Sequence, residues 1–379
     1  MEVNYGRRAP FTIGVEEEFQ LVDATSGELV SRYDEVEEEI GREGAVEVKA
    51  ELLQSVLEVA THVHDSVPEA LEESRELRAR VAAAAGESGT LVVSAGTHPF
   101  SRYEHQEVTE QERYLELVER MRWVAEREVI FGLHVHVGLS TGHEATAVAN
   151  ALRTWLPELL ALSANSPYWQ GRDTGLASTR SKIFDAFPRS GLPPAFASFE
   201  EWEATMERGS RLGFFDDYTF VWWDLRLHPK LGTIEIRVCD AQTRLESTAA
   251  IVALVQCLVA LLAERYERDR ALPLQPVMLI AENKWRAVRY GLDADLVDLD
   301  RDVERPARQA LRELLERAEP YARRLGCAEE LAGVGAICSR GTGADEQRAV
   351  RERDGTLLAV VQNLAELTAD GVAADVGSE

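Results

Sequence analysis

Alternation of apolar and polar residues in three short segments is the feature that most limits how this chain can fold. In a β-strand, neighbouring side chains point to opposite faces, so each segment would bury one face and keep the other polar. The segments cover residues 13–21, 131–139 and 232–240. Helical periodicity occurs at residues 66–86, 107–128, 245–268 and 304–324. Because strands and helices do not alternate regularly, we expect an α+β fold with a mostly antiparallel sheet and helices packed on one face.

The charge balance of the chain limits the kinds of molecule that it can bind. The chain has 66 acidic and 41 basic residues, a net charge of −25, which repels nucleic acids and anionic membrane surfaces. The longest apolar stretch, residues 248–263, is shorter than a bilayer span and predicts a buried core helix. The start of the chain lacks a signal-peptide pattern, and the four cysteines lack metal-site spacing. We expect a soluble, cytoplasmic protein with no nucleic-acid or membrane partner.

The domain organisation is read from the absence of linkers and repeats in the sequence. No low-complexity segment and no fixed-period repeat divides the chain. We therefore predict a flexible leader at residues 1–10, a single catalytic domain at residues 11–368 and a flexible tail at residues 369–379.

The first alternating segment places two carboxylates side by side. Glu16 and Glu18 share the polar face with Gly14, whereas Glu17 falls on the apolar face. We expect Glu17 to tolerate replacement far better than either neighbour. A solvated edge strand would give the same pattern, so this segment alone does not identify a site.

The other two segments add imidazoles and a guanidinium to the polar faces. His134 and His136 share one face of the second segment, and Glu235 and Arg237 share one face of the third. Structural histidines and a surface salt-bridge ladder are the alternatives. Placed in one sheet, these faces would form a surface rich in ligands for Mg²⁺ or Mn²⁺, with arginine beside it for a polyphosphate. The combination predicts an ATP site.

Six sequence blocks in order resemble the type 2 glutamate–cysteine ligases, also called carboxylate–amine ligases. Together the blocks span roughly residues 11–365. They are GVEEEF (14–19), HVHVG (134–138), LALSANSPYWQGRDTGLASTR (160–180), WWDLR with GTIEIRVCD (222–240), ENKWRA (282–287) and RGTGADEQR (340–348).

The resemblance implies a glutamine-synthetase-like catalytic fold, in which a curved, largely antiparallel sheet holds ATP and Mg²⁺ (or Mn²⁺). It also implies that ATP phosphorylates a carboxylate, typically the γ-carboxylate of glutamate. An amine, typically that of cysteine, then attacks the acyl phosphate to give an amide. The implied partners are small molecules, namely ATP and amino acids.

The resemblance also assigns roles to individual residues. Metal ligands would be Glu16, Glu18, Glu51, His134 and Glu235. Phosphate contacts would come from Arg237, Arg340 and His136, and the two histidines could exchange these roles. Substrate contacts are expected from Arg172, Arg180, Asn283 and Arg286, of which the last two are equally consistent with structural capping.

Two other classes of protein remain open from the sequence. A metal-dependent hydrolase built on a (β/α)₈ barrel can also carry a His-x-His strand, although eight alternating units are not apparent here. A binding protein that keeps the scaffold without turnover is the third class. The amine acceptor is not fixed by any residue, and an exposed sheet edge is compatible with a homodimer.

Overall fold

The structure is a computed structural model that describes residues 1–43 and 48–370. Its thirteen strands in these ranges are β1 (Ile13–Asp23), β2 (Val48–Ala50), β3 (Val56–Ala60), β4 (Thr90–Val93), β5 (Gly132–Gly138), β6 (Tyr168–Trp169), β7 (Arg172–Asp173), β8 (Ser190–Gly191), β9 (Trp222–Trp223), β10 (Leu225–His228), β11 (Thr233–Asp240), β12 (Asp295–Asp298) and β13 (Val303–Pro306). Residues 371–379, most of the predicted tail, lie outside the described residues.

The helices of the described ranges make up most of the remaining chain. They are α1 (Tyr33–Glu43), α2 (Val67–Glu87), α3 (Glu112–Met121), α4 (Trp123–Glu126), α5 (Gly142–Leu152), α6 (Leu156–Ser163), α7 (Thr179–Phe184), α8 (Phe199–Arg211), α9 (Leu245–Asp269), α10 (Val277–Tyr290), α11 (Ala307–Leu325), α12 (Ala328–Arg340), α13 (Gly343–Asp354) and α14 (Leu357–Ala369). The helix predicted at residues 107–128 is interrupted at Arg122, whose φ of 49° ends α3 and starts α4.

One antiparallel sheet of seven strands forms the centre of the fold. Its order is β10–β11–β5–β1–β3–β2, and β4 pairs with the second half of β1. Every pair in this sheet is antiparallel, which confirms the predicted fold class and is incompatible with a (β/α)₈ barrel.

The apolar face of the sheet carries the main core. Helices α2, α5, α6 and α9 pack on this face, and α11 and α12 pack in turn on α9. The alternating apolar residues of the three predicted strands, such as Val15, Val135 and Ile236, are buried there. Burial of each such side chain contributes roughly 1.5–3 kcal/mol, so the apolar face fixes which residues of each strand point the other way.

Helix α9 is the core helix that the sequence predicts. By length and composition it could cross a membrane, but 89% of its most apolar window is buried inside the fold. Its apolar side chains contact the sheet and the neighbouring helices, as is usual for the central helix of a globular core.

The opposite face of the sheet is polar over β5 and β11. It is covered where β1 pairs with β3 and β4. A second apolar cluster, which includes Val22, Val56 and Val93, lies beneath α14 on this face. The helices therefore lie mainly on one face, and α14 closes one end of the other. This arrangement leaves the middle of the polar face open.

The first residues of the chain lie against the edge of this polar face. The backbone N–H groups of Asn4, Gly6 and Phe11 donate to the carbonyl oxygens of Pro229 (2.9 Å), Leu139 (3.0 Å) and Gly138 (2.8 Å), respectively. Residues 4–10, most of the predicted leader, and Phe11 after them are thus attached to the turn between β10 and β11 and to the end of β5. These hydrogen bonds stabilise the attachment, because they satisfy backbone carbonyl groups at the edge of the sheet that would otherwise face solvent.

Candidate active site

The sheet register brings the predicted acidic and imidazole residues together on the polar face. Glu16 pairs directly with His134 across β1 and β5, and His136 pairs with Glu235 across β5 and β11. Glu16 Oε2 lies 3.2 Å from His134 Nδ1, and Glu16 Oε1 lies 3.5 Å from His136 Nε2. The three alternating segments therefore form one contiguous surface, as the sequence predicts.

A further carboxylate, which sequence reasoning missed, lies in the same row. Glu58 of β3 is directly opposite Glu18 of β1, and it is buried. Lys49 of β2 donates to Glu58 at 2.8 Å and lies 3.6 Å from Glu16. Glu58 belongs to the segment VLEVA, where a single acid among buried apolar residues was the available signal.

These side chains form three overlapping sets of ligand atoms. In each set, one ligand atom from each residue lies within 4.8 Å of the others. The sets are Glu16–His136–Glu235, Glu16–Glu58–His134 and Glu18–Glu51–Glu58. Glu51 follows β2 in a loop and is half-buried.

Two features of the ligand sets fit a divalent cation. The Nε2 atoms of His134 and His136 are buried and make no well-formed hydrogen bond within the described residues, although Glu18 and Glu16 lie 3.9 and 3.5 Å away. Such a state costs free energy unless a ligand is bound. Carboxylate oxygens in this number are the ligands that Mg²⁺ and Mn²⁺ prefer. The residues present therefore fit the metal that the resemblance implies.

The pKa values of the acids differ across the row. Burial alone would raise the pKa of Glu16, but His136 and His134 hold it well below its usual range. Burial raises the pKa of Glu51 to about 7, and the neighbouring charge of Glu18 adds to this. Burial and the charge of Glu16 also raise the pKa of Glu58. The positive charges near Glu51 and Glu58, which include Lys49, thus do not offset burial and the neighbouring carboxylates, and a bound cation would supply further positive charge.

Two arginines hold Glu235 from either side. Arg226 donates to both oxygens of Glu235, at 2.7 and 3.1 Å, and Arg237 also donates to this carboxylate. Burial would raise the pKa of Glu235, but the charges of these arginines keep it well below its usual range. Arg237 thus lies beside the candidate metal ligands, with its guanidinium 3.5 Å from His134 Nδ1.

Two cavities meet at Glu16 and Lys49. The first has a volume of about 340 Å³ and is lined by Glu18, Glu51 and Glu58, by arginines and by aromatic side chains on one wall. Its arginines and aromatic residues are Arg113, Arg180, Arg226, Arg237, Tyr114, Phe184, Phe187, Phe220 and Trp222. The second has a volume of about 440 Å³ and is lined by Gly14, His136 and Thr233, with the cationic residues Arg7, Arg8 and Lys230 at its rim.

Of the four predicted substrate residues, the structure brings Arg180 to the first cavity. Arg172 is exposed in β7 and does not line it. Asn283 is buried elsewhere, where its side chain exchanges two hydrogen bonds with the backbone of Val297. Arg286 pairs with Glu282 and Glu304. For Asn283 and Arg286 the geometry agrees with structural capping and does not bring them to the ligand cluster.

Arg340 also lies away from the predicted phosphate site. It is exposed at the last position of α12, where Nη2 donates to Ser247 Oγ at 2.7 Å, and it lines neither cavity. The glycine-rich turn after it caps a helix: the N–H and hydroxyl of Thr342 both donate to Asp345. The structure therefore gives this block a structural role, because the capping box starts α13.

Other parts of the sequence blocks form a buried support beneath the site. Asp240, at the end of β11, accepts hydrogen bonds from the hydroxyls of Ser166 (2.7 Å) and Ser178 (2.8 Å) and from the N–H of Asn165 (2.8 Å). Gln347 donates to the side chain of Asn165 at 2.8 Å. The network explains why these polar residues occur in otherwise apolar segments, and it holds α7, which carries Arg180, against the sheet.

A buried lysine, which sequence reasoning also missed, holds the aromatic wall of the first cavity in place. Lys284 Nζ lies 2.8 Å from Asp224 and 3.1 Å from Asp185. Asp224 lies two residues after Trp222, and Asp185 caps α7. The ion pairs therefore join α10 to two walls of the first cavity. The signal in the sequence was that only four lysines occur in the whole chain.

Comparison with known proteins agrees with this geometry. The family model described as glutamate-cysteine ligase family 2 matches residues 12–363. A protein of Rubrobacter xylanophilus named "Putative glutamate--cysteine ligase 2-1" is 49% identical over 372 residues, which cover 96% of each chain. A protein of Sorangium cellulosum named "Putative glutamate--cysteine ligase 2" is 43% identical, over 96% of this chain and 97% of its own.

Solved structures share the fold at low sequence identity. The glutamate–cysteine ligase of Francisella tularensis, solved in complex with AMP, superposes with a TM-score of 0.66 at 14% identity, covering 97% of this chain and 94% of that one. A bifunctional glutathione synthetase from Pasteurella multocida gives 0.68 at 14% identity, covering 96% of this chain and 53% of that one. The family match and these relatives together show that the chain belongs to glutamate–cysteine ligase family 2.

Proposed function

We propose that this ligase joins the γ-carboxylate of glutamate to the amine of cysteine, using ATP, through an acyl-phosphate intermediate. One observation carries the proposal. The ligand sets extend from one cavity to the other: Glu18, Glu51 and Glu58 line the first, His136 lines the second, and Glu16 lines both. A phosphoryl group passing from a nucleotide in one cavity to a carboxylate in the other would cross these ligands, where positive charge is needed.

The charges of the cavities support a division between nucleotide and amino acids. The second cavity combines the cationic side chains Arg7, Arg8 and Lys230 with the apolar residues Val63 and Leu231, a mixture that suits polyphosphate and base. The first cavity combines acids, arginines and aromatic side chains, a mixture that suits amino acids. We therefore assign ATP to the second cavity and the amino acids to the first.

The chain's own residues would orient and stabilise the reacting groups. Glu16, Glu18, Glu51, Glu58, Glu235 and the two histidines would hold Mg²⁺ or Mn²⁺, which neutralises phosphate charge when bound. Arg237, held against Glu235, would face the transferred phosphoryl group from the side of the first cavity. Conversion of the carboxylate to an acyl phosphate supplies a good leaving group, so that positioning is the main remaining requirement.

The test is whether ADP forms only when a carboxylate and an amine are both present. We expect ADP release with ATP, Mg²⁺, glutamate and cysteine together, and little release when either amino acid is omitted. Glu235→Gln should lower the rate at least about 100-fold, since it removes a ligand and frees both arginines. The exposed Glu207→Gln is the matched control. ADP release independent of the amine would overturn the proposal.

The acceptor is tested with a panel of amines at fixed glutamate. Cysteine is proposed from the names of the family and relatives, and ranking the amines by ADP release decides between cysteine and another amine. A cytoplasmic location and a homodimer are proposed with this function, because ATP is supplied in the cytoplasm and the sheet has open edges at β10 and β2.

A further inference from the structure

Two buried polar atoms lack a partner at the wall of the first cavity. They are Oε1 of Glu128 and Nε of Arg180, and within the described residues neither has a hydrogen-bond partner. Both residues line the cavity. A buried carboxylate oxygen and a buried guanidinium N–H left without partners cost free energy, so each is a place where a ligand atom would be favoured.

Arg180 is held firmly in this position. Its side chain is 3% exposed, and Nη2 donates to the carbonyl oxygen of Arg237 at 3.3 Å. Gly132 of β5 makes room for it, because a Cβ at that position would lie 2.4 Å from Arg180 Nη2. The guanidinium is therefore placed by the sheet itself and is not free to follow a ligand out of the cavity.

Glu128 lies between α4 and β5, next to buried Val129. Burial is the main influence on its carboxyl group and raises its pKa to about 8, while the charges of Arg180 and Arg127 act in the opposite direction and that of Glu18 adds to the rise. The nearby arginines are thus too weak a counter-charge for this carboxyl group. A cation arriving with a ligand would supply the missing charge.

We propose that Glu128 is a specificity-determining residue that pairs with the α-ammonium group of the amino-acid donor, while Arg180 beside it binds the α-carboxylate. This inference rests on the proposed function and names how the donor is recognised. The substrate class is an α-amino acid with a second carboxylate on its side chain. That side chain would extend from Glu128 and Arg180 toward Glu18, Glu51 and Glu58, which line the same cavity.

The choice of ammonium for Glu128 follows from the charges of the cavity. Arginine recognises a carboxylate with parallel hydrogen bonds and has no acceptor atoms, so it does not bind the ammonium group. The other acids of the cavity belong to the candidate metal sets. Glu128 is outside those sets, which leaves its carboxylate available for a substrate cation.

The experiment measures binding of three probes by calorimetry, with a non-hydrolysable ATP analogue and Mg²⁺ present. The probes are L-glutamate, N-acetyl-L-glutamate and glutarate; the last two lack the ammonium group. We expect wild type to bind L-glutamate at least about tenfold more tightly than glutarate. Glu128→Gln should weaken L-glutamate about 10- to 100-fold and leave glutarate within about twofold. Glu128→Asp should recover part of the preference.

The control variant is Glu126→Gln, an exposed acid two residues earlier that does not line the cavity. A Glu128→Gln protein that unfolds at the wild-type denaturant midpoint but keeps the wild-type ratio of glutamate to glutarate affinity overturns the inference. Equal affinity of wild type for both probes also overturns it. If wild type releases no ADP with glutamate and any amine, the proposed function fails, and the inference fails with it. If wild type releases ADP but Glu128→Gln keeps the wild-type ratio of glutamate to glutarate affinity, only the role of Glu128 is wrong.

Discussion

Glu17 and Arg78 form a buried ion pair on the apolar face of the sheet, directly behind the candidate site. Glu17 Oε1 lies 2.6 Å from Arg78 Nη2, and Oε2 lies 3.0 Å from Arg78 Nε. Arg78 also donates to the carbonyl oxygens of Gln242 and Thr243, and Thr248 donates to Glu17. The pair thus connects β1 to α2 and to the start of α9, and the expectation that Glu17 tolerates replacement is wrong for stability.

Replacement of Glu17 by alanine should destabilise the fold by about 3–5 kcal/mol, because it leaves the Arg78 charge buried without a carboxylate to balance it. Urea denaturation measures this loss. The double variant Glu17→Met with Arg78→Met is the control, and it should be closer to wild type because it leaves no buried charge. A loss below about 1 kcal/mol in Glu17→Ala would contradict the assignment.

Divalent cations should raise the thermal stability of the protein, and EDTA should reverse the effect. Like charges at Glu18, Glu51 and Glu58 oppose one another without a cation, and a ligand at 100 times its Kd adds about 2.7 kcal/mol. Thermal unfolding with Mg²⁺ or Mn²⁺ measures the shift. Glu58→Gln should remove most of it, whereas Glu207→Gln should keep it. An unchanged shift in Glu58→Gln would place the cation elsewhere.

Arg237 and Arg340 should differ sharply, although both were predicted to contact phosphate. Arg237 lines the first cavity beside Glu235, whereas Arg340 bonds to Ser247 on the helical side. We expect Arg237→Ala to lower ADP release at least about 100-fold and Arg340→Ala to leave it within about threefold. Steady-state rates, with unfolding midpoints as the folding control, decide the matter. An equal loss of ADP release in both variants would show that Arg340 acts at the site after all.

His98 should contribute to stability at neutral pH, and this contribution should be lost in mild acid. Its buried ring must stay neutral, since Nε2 donates to Gly27 O at 2.9 Å and Nδ1 accepts from the N–H of Ser101 at 2.9 Å. Burial lowers its pKa to about 3, below the value near 6.5 expected when unfolded. Its contribution is complete above pH 6.5 and is lost below it, by about 1.4 kcal/mol at pH 5.5.

Urea midpoints measured from pH 7.5 to pH 5 test this linkage. His98→Gln removes the titrating ring, so the free energy of unfolding of wild type minus that of His98→Gln should fall by about 1.4 kcal/mol from pH 7.5 to pH 5.5. Taking this difference cancels the opposite pH dependence that the raised pKa values of Glu51 and Glu128 give to both proteins. If both proteins lose stability in parallel below pH 6.5, another group is responsible.

Alternation in three strands was enough to predict the sheet faces, and through them the meeting of Glu16, His134 and Glu235. Period-2 patterns report directly on which side chains are buried, so they carry over to tertiary structure. Helix α9 was also predicted to within one residue of its observed bounds.

The rest of the site depends on contacts that no local pattern encodes. Glu58 joins the site only because β3 pairs with β1, and Glu128 only because α4 precedes β5 at the cavity wall. Asn283 and Arg340 belong to blocks of the family resemblance, yet a block does not distinguish a ligand contact from a capping bond. That distinction needs the positions of the partners, Val297 and Ser247.

The most direct test of the central claim follows the oxygen atoms of the donor. Glutamate labelled with ¹⁸O in its γ-carboxylate is incubated with ATP, Mg²⁺ and the best amine, and the phosphate released is analysed by mass spectrometry. Formation of an acyl phosphate transfers one carboxylate oxygen to phosphate, so we predict one ¹⁸O per phosphate and one amide per ADP. Amide formation with unlabelled phosphate, or labelled glutamate that forms no amide, would contradict the account.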